Sequence, residues 1–419
     1  MSAPRTGVVP APGVAGLDGY RLSLRIEDPN DKGLSSFYRA LSQTAAGSGT
    51  TRVLHYGDSH VASDLLTGEM RQKLQTRFGN GGPGLILPVK PWPWYSRLGF
   101  IGTWTGGWKI DGARDPESWS SRNLGLAGLA AVVDRAGESI AFAACAESFD
   151  FYLLEQPGGG TISIWIDGEE IEREISLRSK ATIPFYLKID SGAETWHAVE
   201  LRTTRPGKVR VFGVDVRLET PGVVYDELGI NGARAIRQLM WDRDLLRSNL
   251  QRTNPDLVIV AYGSNEVTDA DLDLGGYEMD FAEMLRRFRE AAPNTSLLVI
   301  GPPDRAIRSG LKWRSVERLP SLISAQRRAA LSAGAAFCNV FSAMGGAGSI
   351  NRWAGLTVPL SQQDRVHLTR AGYKVVAQAL YEALMRGYER MMRQETGQMA
   401  RHPQERSQTM DHSEKDKSR

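Results

Sequence analysis

Cysteine is nearly missing from this chain: Cys145 and Cys338 are the only two in 419 residues. Each lies in an apolar, strand-like stretch, so they read as buried free thiols rather than a disulfide, which leaves the compartment open. Histidine is scarce too, six in all, with no HExxH or paired-ligand spacing. Neither a metal nor any other cofactor is therefore expected. Long hydrophobic runs are lacking, since nothing approaches the roughly 18 apolar residues of a membrane span. The opening Met1-Ser2-Ala3-Pro4-Arg5 has no apolar core of a signal peptide, so the chain is either cytoplasmic or begins after a removed leader. Charge of one sign is also lacking: 51 Lys and Arg oppose 48 Asp and Glu. With no basic stripe interleaved with exposed aromatics, nucleic acid is not an expected partner.

What is present describes a globular protein of more than average domain length, 41% hydrophobic and 24% charged. Residues 1–50 read as a Pro/Gly/Ala-rich arm followed by a helix. Thr51 to Tyr56 reads as a buried strand and Asp64 to Phe78 as a helix, joined by a sharp turn. From 91 to 219 helical periodicity gives way to short alternating strands such as Ile162-Ser163-Ile164-Trp165-Ile166, with Asp167-Gly168 as a hairpin signal. That pattern predicts an inserted β-sandwich of jelly-roll type. Helix and strand then alternate from 220 to 392, with continuous apolar strands such as Leu257-Val258-Ile259-Val260 that suit a parallel sheet covered on both faces. The expectation is a discontinuous three-layer α/β/α domain, 51–90 plus 220–392, of flavodoxin-like type. Residues 393–419 turn polar and charged and are expected to lack structure.

Within this frame four separated segments carry reactive chemistry: Tyr56-Gly57-Asp58-Ser59-His60, Gly229-Ile230-Asn231-Gly232, Tyr262-Gly263-Ser264-Asn265 and Asp364-Arg365-Val366-His367. They hold a nucleophilic serine just past a strand end, two polar groups suited to an oxyanion, and an Asp-His pair at a spacing that lets the carboxylate hold one ring nitrogen while the other faces the serine. In order and content the segments resemble the SGNH, or GDSL-type, hydrolases over residues 50–88 and 222–390. His60 in place of the usual leucine, the inserted sandwich and Gly301-Pro302-Pro303-Asp304 are most similar to bacterial peptidoglycan O-acetylesterases, whose insertion resembles a carbohydrate-binding module.

The resemblance implies a serine esterase acting on an acetylated glycan in the cell envelope or outside the cell. Ser59 would be the nucleophile, His367 the base and Asp364 its orienter, with Ser59, Gly232 and Asn265 forming the oxyanion hole. Asp58 is expected to fix the nucleophile turn, and His60 to be a local structural or substrate contact. Trp92 and Trp94, flanked by Pro91 and Pro93, are expected to face a glycan-binding groove. The same triad would also serve an O-acetyltransferase. A glycan-binding protein with a vestigial triad is the reading from outside the enzymes. The sequence carries nothing on oligomeric state.

Overall fold

The computed structural model describes residues 20–28, 31–93, 95, 97, 100–113 and 116–415. Apolar runs without alternation need cover on both faces, and that cover sets the architecture. Thr50–Gly57, Leu257–Ala261 and Ser296–Gly301 are buried along nearly their whole length. They join Gly222–Gly229 and Ala336–Asn339 in a parallel array, and Ile26–Glu27 closes one edge antiparallel to Ala336–Asn339. The order across the six-stranded sheet is Ile26–Glu27, Ala336–Asn339, Ser296–Gly301, Leu257–Ala261, Thr50–Gly57, Gly222–Gly229.

Helices cover both faces. Ser35–Ala45, Leu65–Phe78 and the helix from Arg370 bury Phe37, Leu41, Met70, Leu74, Val376 and Leu380 on one side. Arg243–Thr253, Leu274–Ala291 and Leu319–Ser332 bury Leu246, Phe281, Phe288 and Leu322 on the other. The chain passes from Thr50–Gly57 to its neighbour on one side and then crosses to Leu257–Ala261 on the other. This reversal opens a crevice at the carboxyl ends of the strands, where open α/β sheets bind ligands.

Between Phe78 and Gly222 the described residues form nine antiparallel strands. Asp167 (φ 55°) and Gly168 (φ 87°) make the predicted tight hairpin between Thr161–Ile166 and Glu169–Ser176. The sandwich was expected as separate short strands, but the structure has one continuous sheet. Its two central strands, Ser139–Glu155 and Ile183–Arg205, run 17 and 23 residues. Strands that long take different neighbours at their two ends: Ser139–Glu155 pairs with Ile101–Trp104 along its first half and with Val209–Arg217 along its second. The sheet also takes in Gly84–Ile86, ahead of residue 91, through pairing with Val214–Val216.

Three other expectations need correction. The helical periodicity from Ala233 to Leu250 predicts one helix, but the chain breaks at Trp241, and a new helix starts at Arg243 because the Asp242 carboxylate accepts the Leu245 N–H at 2.8 Å. The C-terminal helix continues to Lys415, through the segment expected to lack structure, since Arg, Gln, Glu and Met are good helix formers. Cys338 is a buried free thiol, but Cys145 is only half-buried.

A buried charge cluster ties the inserted sheet to the α/β domain. Arg52, on a central strand, donates from Nε to Asp226 Oδ2 at 2.8 Å and from Nη2 to Asp215 Oδ1 at 3.0 Å, and Asp215 belongs to the inserted sheet. Burial alone would push the Asp215 carboxyl up, but the Arg52 guanidinium outweighs it and holds the group below the usual range. Removing one partner of such a pair strands the others without water. Arg52→Ala should lower unfolding free energy by about 3–5 kcal/mol, measured by urea denaturation, because two carboxylates lose their counter-charge together.

Candidate active site

The nucleophile turn is set by steric closeness. Strand Thr50–Gly57 ends at Gly57, and Ser59 opens the one-turn helix Ser59–Ala62. Asp58, almost fully buried, caps that turn by accepting the His60 N–H at 3.0 Å. A side chain at Gly229, in the adjacent strand, would collide with the Ala62 backbone, so glycine is needed where the turn presses on its neighbour. Burial pushes the Asp58 carboxyl up to about 6, against the hydrogen bonds it accepts from His60 and Ser264 and the nearby His367.

Ser59 Oγ lies 2.9 Å from His367 Nε2, and His367 Nδ1 lies 2.6 Å from Asp364 Oδ2. The Asp364 carboxylate accepts a hydrogen bond from Nδ1–H, which leaves Nε2 as the acceptor for the serine hydroxyl. Asp364 Oδ1 also accepts the backbone N–H groups of Val366 and His367, at 2.9 and 3.0 Å. Burial works against the charge of Asp364, but these hydrogen bonds prevail and keep its carboxyl below the usual range. The carboxylate thus stays ionised where the base needs it.

Gly232 sits at φ 71° with open space where a side chain would stand. Asn265 Nδ2 donates to Ala233 O at 2.9 Å, which fixes the amide against the glycine turn and leaves its second N–H free to point elsewhere. The three expected oxyanion groups, from Ser59, Gly232 and Asn265, therefore come from loops that are bonded to one another. Ile230 N–H donates to Gly57 O at 3.0 Å and Asp58 N–H to Ala261 O at 3.3 Å.

Glu266 completes the interlock, and sequence reasoning missed it. This buried carboxylate accepts Ala235 N–H at 2.8 Å and Gly263 N–H at 3.1 Å, clamping the Gly232 and Asn265 segments together. Its adjacency to Asn265 was the available signal. Arg305 was missed as well: from the loop after Ser296–Gly301 it donates to Ser264 O, beside Asn265. Asp304, at the end of Gly301-Pro302-Pro303-Asp304, is buried and accepts the Ile350 N–H at 3.1 Å, which anchors that loop.

The proposed substrate contacts fare differently. His60 is buried, and its Nδ1 is 3.0 Å from the Tyr373 hydroxyl; burial pushes its imidazole down to about 3, so it stays neutral behind His367. It is a packing and hydrogen-bonding group, not an exposed sugar contact. Trp92 is a core residue packed edge-on against Tyr95 at 5.5 Å, because an indole of that area is better removed from water than stacked on a ligand it cannot reach. Trp94 lies outside the described residues. Among the described residues no group of three potential metal ligands occurs, and no helix is long and apolar enough to cross a membrane.

Residues 190–375 match the family model described as GDSL-like Lipase/Acylhydrolase family. Over that span, less than half of the chain, the sequence is similar to the GDSL-like acylhydrolases. The matched span leaves out Ser59, which the fold returns to the other three segments. A solved structure described as "Peptidoglycan O-acetylesterase in action" shares the fold of this chain, with a TM-score of 0.72 at 24% identity over 87% of this chain and 99% of that one. Two family two carbohydrate esterases superpose only loosely. The one from Clostridium thermocellum, in complex with cellohexaose, has 13% identity over 68% of this chain and 99% of its own, with a TM-score of 0.28. The one from Corynascus thermopiles (Myceliophthora fergusii), with a carbohydrate binding domain, has 13% identity over 67% and 99%, with a TM-score of 0.31. No curated protein matches the chain. On this match the protein is a carboxylic ester hydrolase.

The Glu266 clamp makes a pH prediction. Burial raises its carboxyl from 4.5 to about 7, so the protonated form favours the folded protein below pH 4.5 and that contribution is lost as pH rises through about 7. The stability advantage of wild type over Glu266→Gln should shrink between pH 5 and pH 8.5 by on the order of 3 kcal/mol. Parallel pH profiles in chemical denaturation would contradict it.

Proposed function

We propose that this protein removes O-acetyl groups from a glycan, peptidoglycan or a related envelope polysaccharide, and so acts outside the cytoplasm. The observation that carries the reading is the unbroken line from Asp364 Oδ2 through the His367 ring to Ser59 Oγ, with bonds of 2.6 and 2.9 Å. As Ser59 Oγ attacks the acetyl carbonyl carbon, His367 Nε2 takes its proton. The Ser59 and Gly232 N–H groups and the Asn265 amide hold the resulting oxyanion. Collapse breaks the bond to the sugar oxygen, which leaves with the proton from His367, and the acetyl group remains on Ser59. Water then gives its proton to His367 and attacks the acetyl-enzyme; acetate departs and Ser59 regains its proton.

Two features support a polymeric substrate. The relay lies open, since the His367 and Asp364 side chains keep 35% and 43% of their surface exposed, so an ester on a long chain can reach it. The structural neighbour with the shared fold is described as a peptidoglycan O-acetylesterase.

Ser59→Ala should abolish acetate release from O-acetylated peptidoglycan, and a fluorophosphonate should label the wild type only at Ser59. Asn265→Ala should lower kcat by about 10²–10³ with little change in KM, because the amide meets its partner fully only in the transition state. Acetate must appear in water with no acceptor sugar present. Its appearance only when a sugar acceptor is added would make the protein a transferase.

A further inference from the structure

Beside the catalytic loops stands a small hairpin, Ala306–Ser309 paired with Lys312–Ser315, that leaves Ile307, Leu311 and Trp313 exposed. Arg308, Lys312 and Arg314 are exposed on it too, and no acidic residue occurs from Arg305 to Val316. No charge of opposite sign within the segment neutralises these cations.

The register sorts these side chains between two faces. Arg308 lies opposite Trp313 and Ala306 opposite Ser315, so these four share one face; Ile307, Ser309, Lys312 and Arg314 share the other. Ala306 is buried, and the Ser315 hydroxyl donates to the buried Asp304 Oδ2 at 2.9 Å, so the face with Arg308 and Trp313 turns toward the catalytic domain. The hairpin is fastened to the base loop: Ala306 N–H donates to Arg365 O at 3.0 Å, and the Arg365 guanidinium lies 5.8 Å from the centre of the Trp313 ring. Arg365 stands between Asp364 and His367. Arg305, at the root of the hairpin, holds Ser264 beside Asn265. One rigid element thus borders both the base loop and the oxyanion segment.

We infer that Trp313 and Arg308 form a subsite for the sugar chain that carries the ester, selective for glycans that bear carboxylates. Deepening the glycan reading above, this inference rests on it. An indole ring packs against the apolar face of a pyranose, and a guanidinium fork matches a carboxylate with two parallel hydrogen bonds. Lys312 and Arg314 on the outer face raise the local concentration of a polyanion. An anionic membrane fits the pattern less well. The exposed apolar groups are split, Trp313 on the inner face, Ile307 on the outer and Leu311 at the turn, so no single face could insert.

The test compares kcat/KM for acetate release from O-acetylated peptidoglycan with kcat/KM for an aryl acetate too small to reach the hairpin. The polymer-to-aryl ratio should fall roughly tenfold in Trp313→Ala and in Arg308→Ala, while Arg308→Lys recovers part of it. Amidating the carboxylates of the polymer should cost the wild type a similar factor and cost Arg308→Ala little more, and high salt should narrow the gap between native and amidated polymer. An unchanged ratio in both variants overturns the subsite, as does equal sensitivity of wild type and Arg308→Ala to amidation. Binding of anionic phospholipid vesicles that Arg308→Ala abolishes, with the ratio unchanged, assigns the hairpin to a membrane instead. Aryl acetate turnover by the wild type without any polymer turnover would mean that the glycan reading itself has failed, and the subsite with it.

Discussion

The turn from strand Thr50–Gly57 into Ser59–Ala62 is held by approaches too close for side chains, and the other catalytic loops are built against it. A Cβ at Gly57 would run into Val61 and Ala261, and one at Gly229 into the Ala62 backbone. Because the two neighbouring strands pin this turn from either side, Ser59 Oγ has one place to be. The segments carrying Gly232, Asn265 and His367 can then be aligned by short backbone hydrogen bonds rather than by long flexible side chains. Rigidity of that kind is what an oxyanion hole requires, since donors that must reorganise during reaction lose much of their value.

Two sets of buried carboxylates do the fastening, with opposite electrostatic logic. Asp215 and Asp226 face the Arg52 guanidinium, and Arg217 stands beside Asp215 as a second cation, so the charge between the inserted sheet and the α/β domain is balanced within the protein. Asp58 and Glu266, at the site, accept backbone N–H groups and have no cation bonded to them in the same way, so burial lifts both toward neutral pH. A catalytic centre assembled on N–H groups keeps the positive ends of those dipoles near the place where negative charge develops.

The base loop and the oxyanion segment meet a third partner in the loop that follows Ser296–Gly301. Asp304 anchors that loop inside the protein, Arg305 reaches Ser264, and Ala306 reaches Arg365. A surface hairpin is thereby coupled to the chemistry by three consecutive residues, while the larger inserted sheet joins the α/β domain through Arg52, at a strand position five residues before Gly57.

The parallel strands were legible from the sequence because burial on both faces demands unbroken apolar runs, and the hairpin at Asp167-Gly168 because few residues accept two successive positive φ angles. The segments containing Ser59, Gly232, Asn265, Asp364 and His367 could be picked out because their residue types serve chemistry better than packing. Other features were decided only by tertiary structure. Trp92 carries the same composition whether it lines a groove or fills a core, and the surrounding apolar contacts settled it in the core. Glu266 looks like any acidic residue after an asparagine until two backbone N–H groups from different segments converge on it. Strand length in the inserted sheet depends on which neighbours each half can pair with, and a local pattern of alternation does not contain that. The sequence by itself determined which groups are chemically available and which segments must be buried; their distances, orientations and shared partners came from long-range packing, because contacts between residues hundreds of positions apart leave no local periodicity to read.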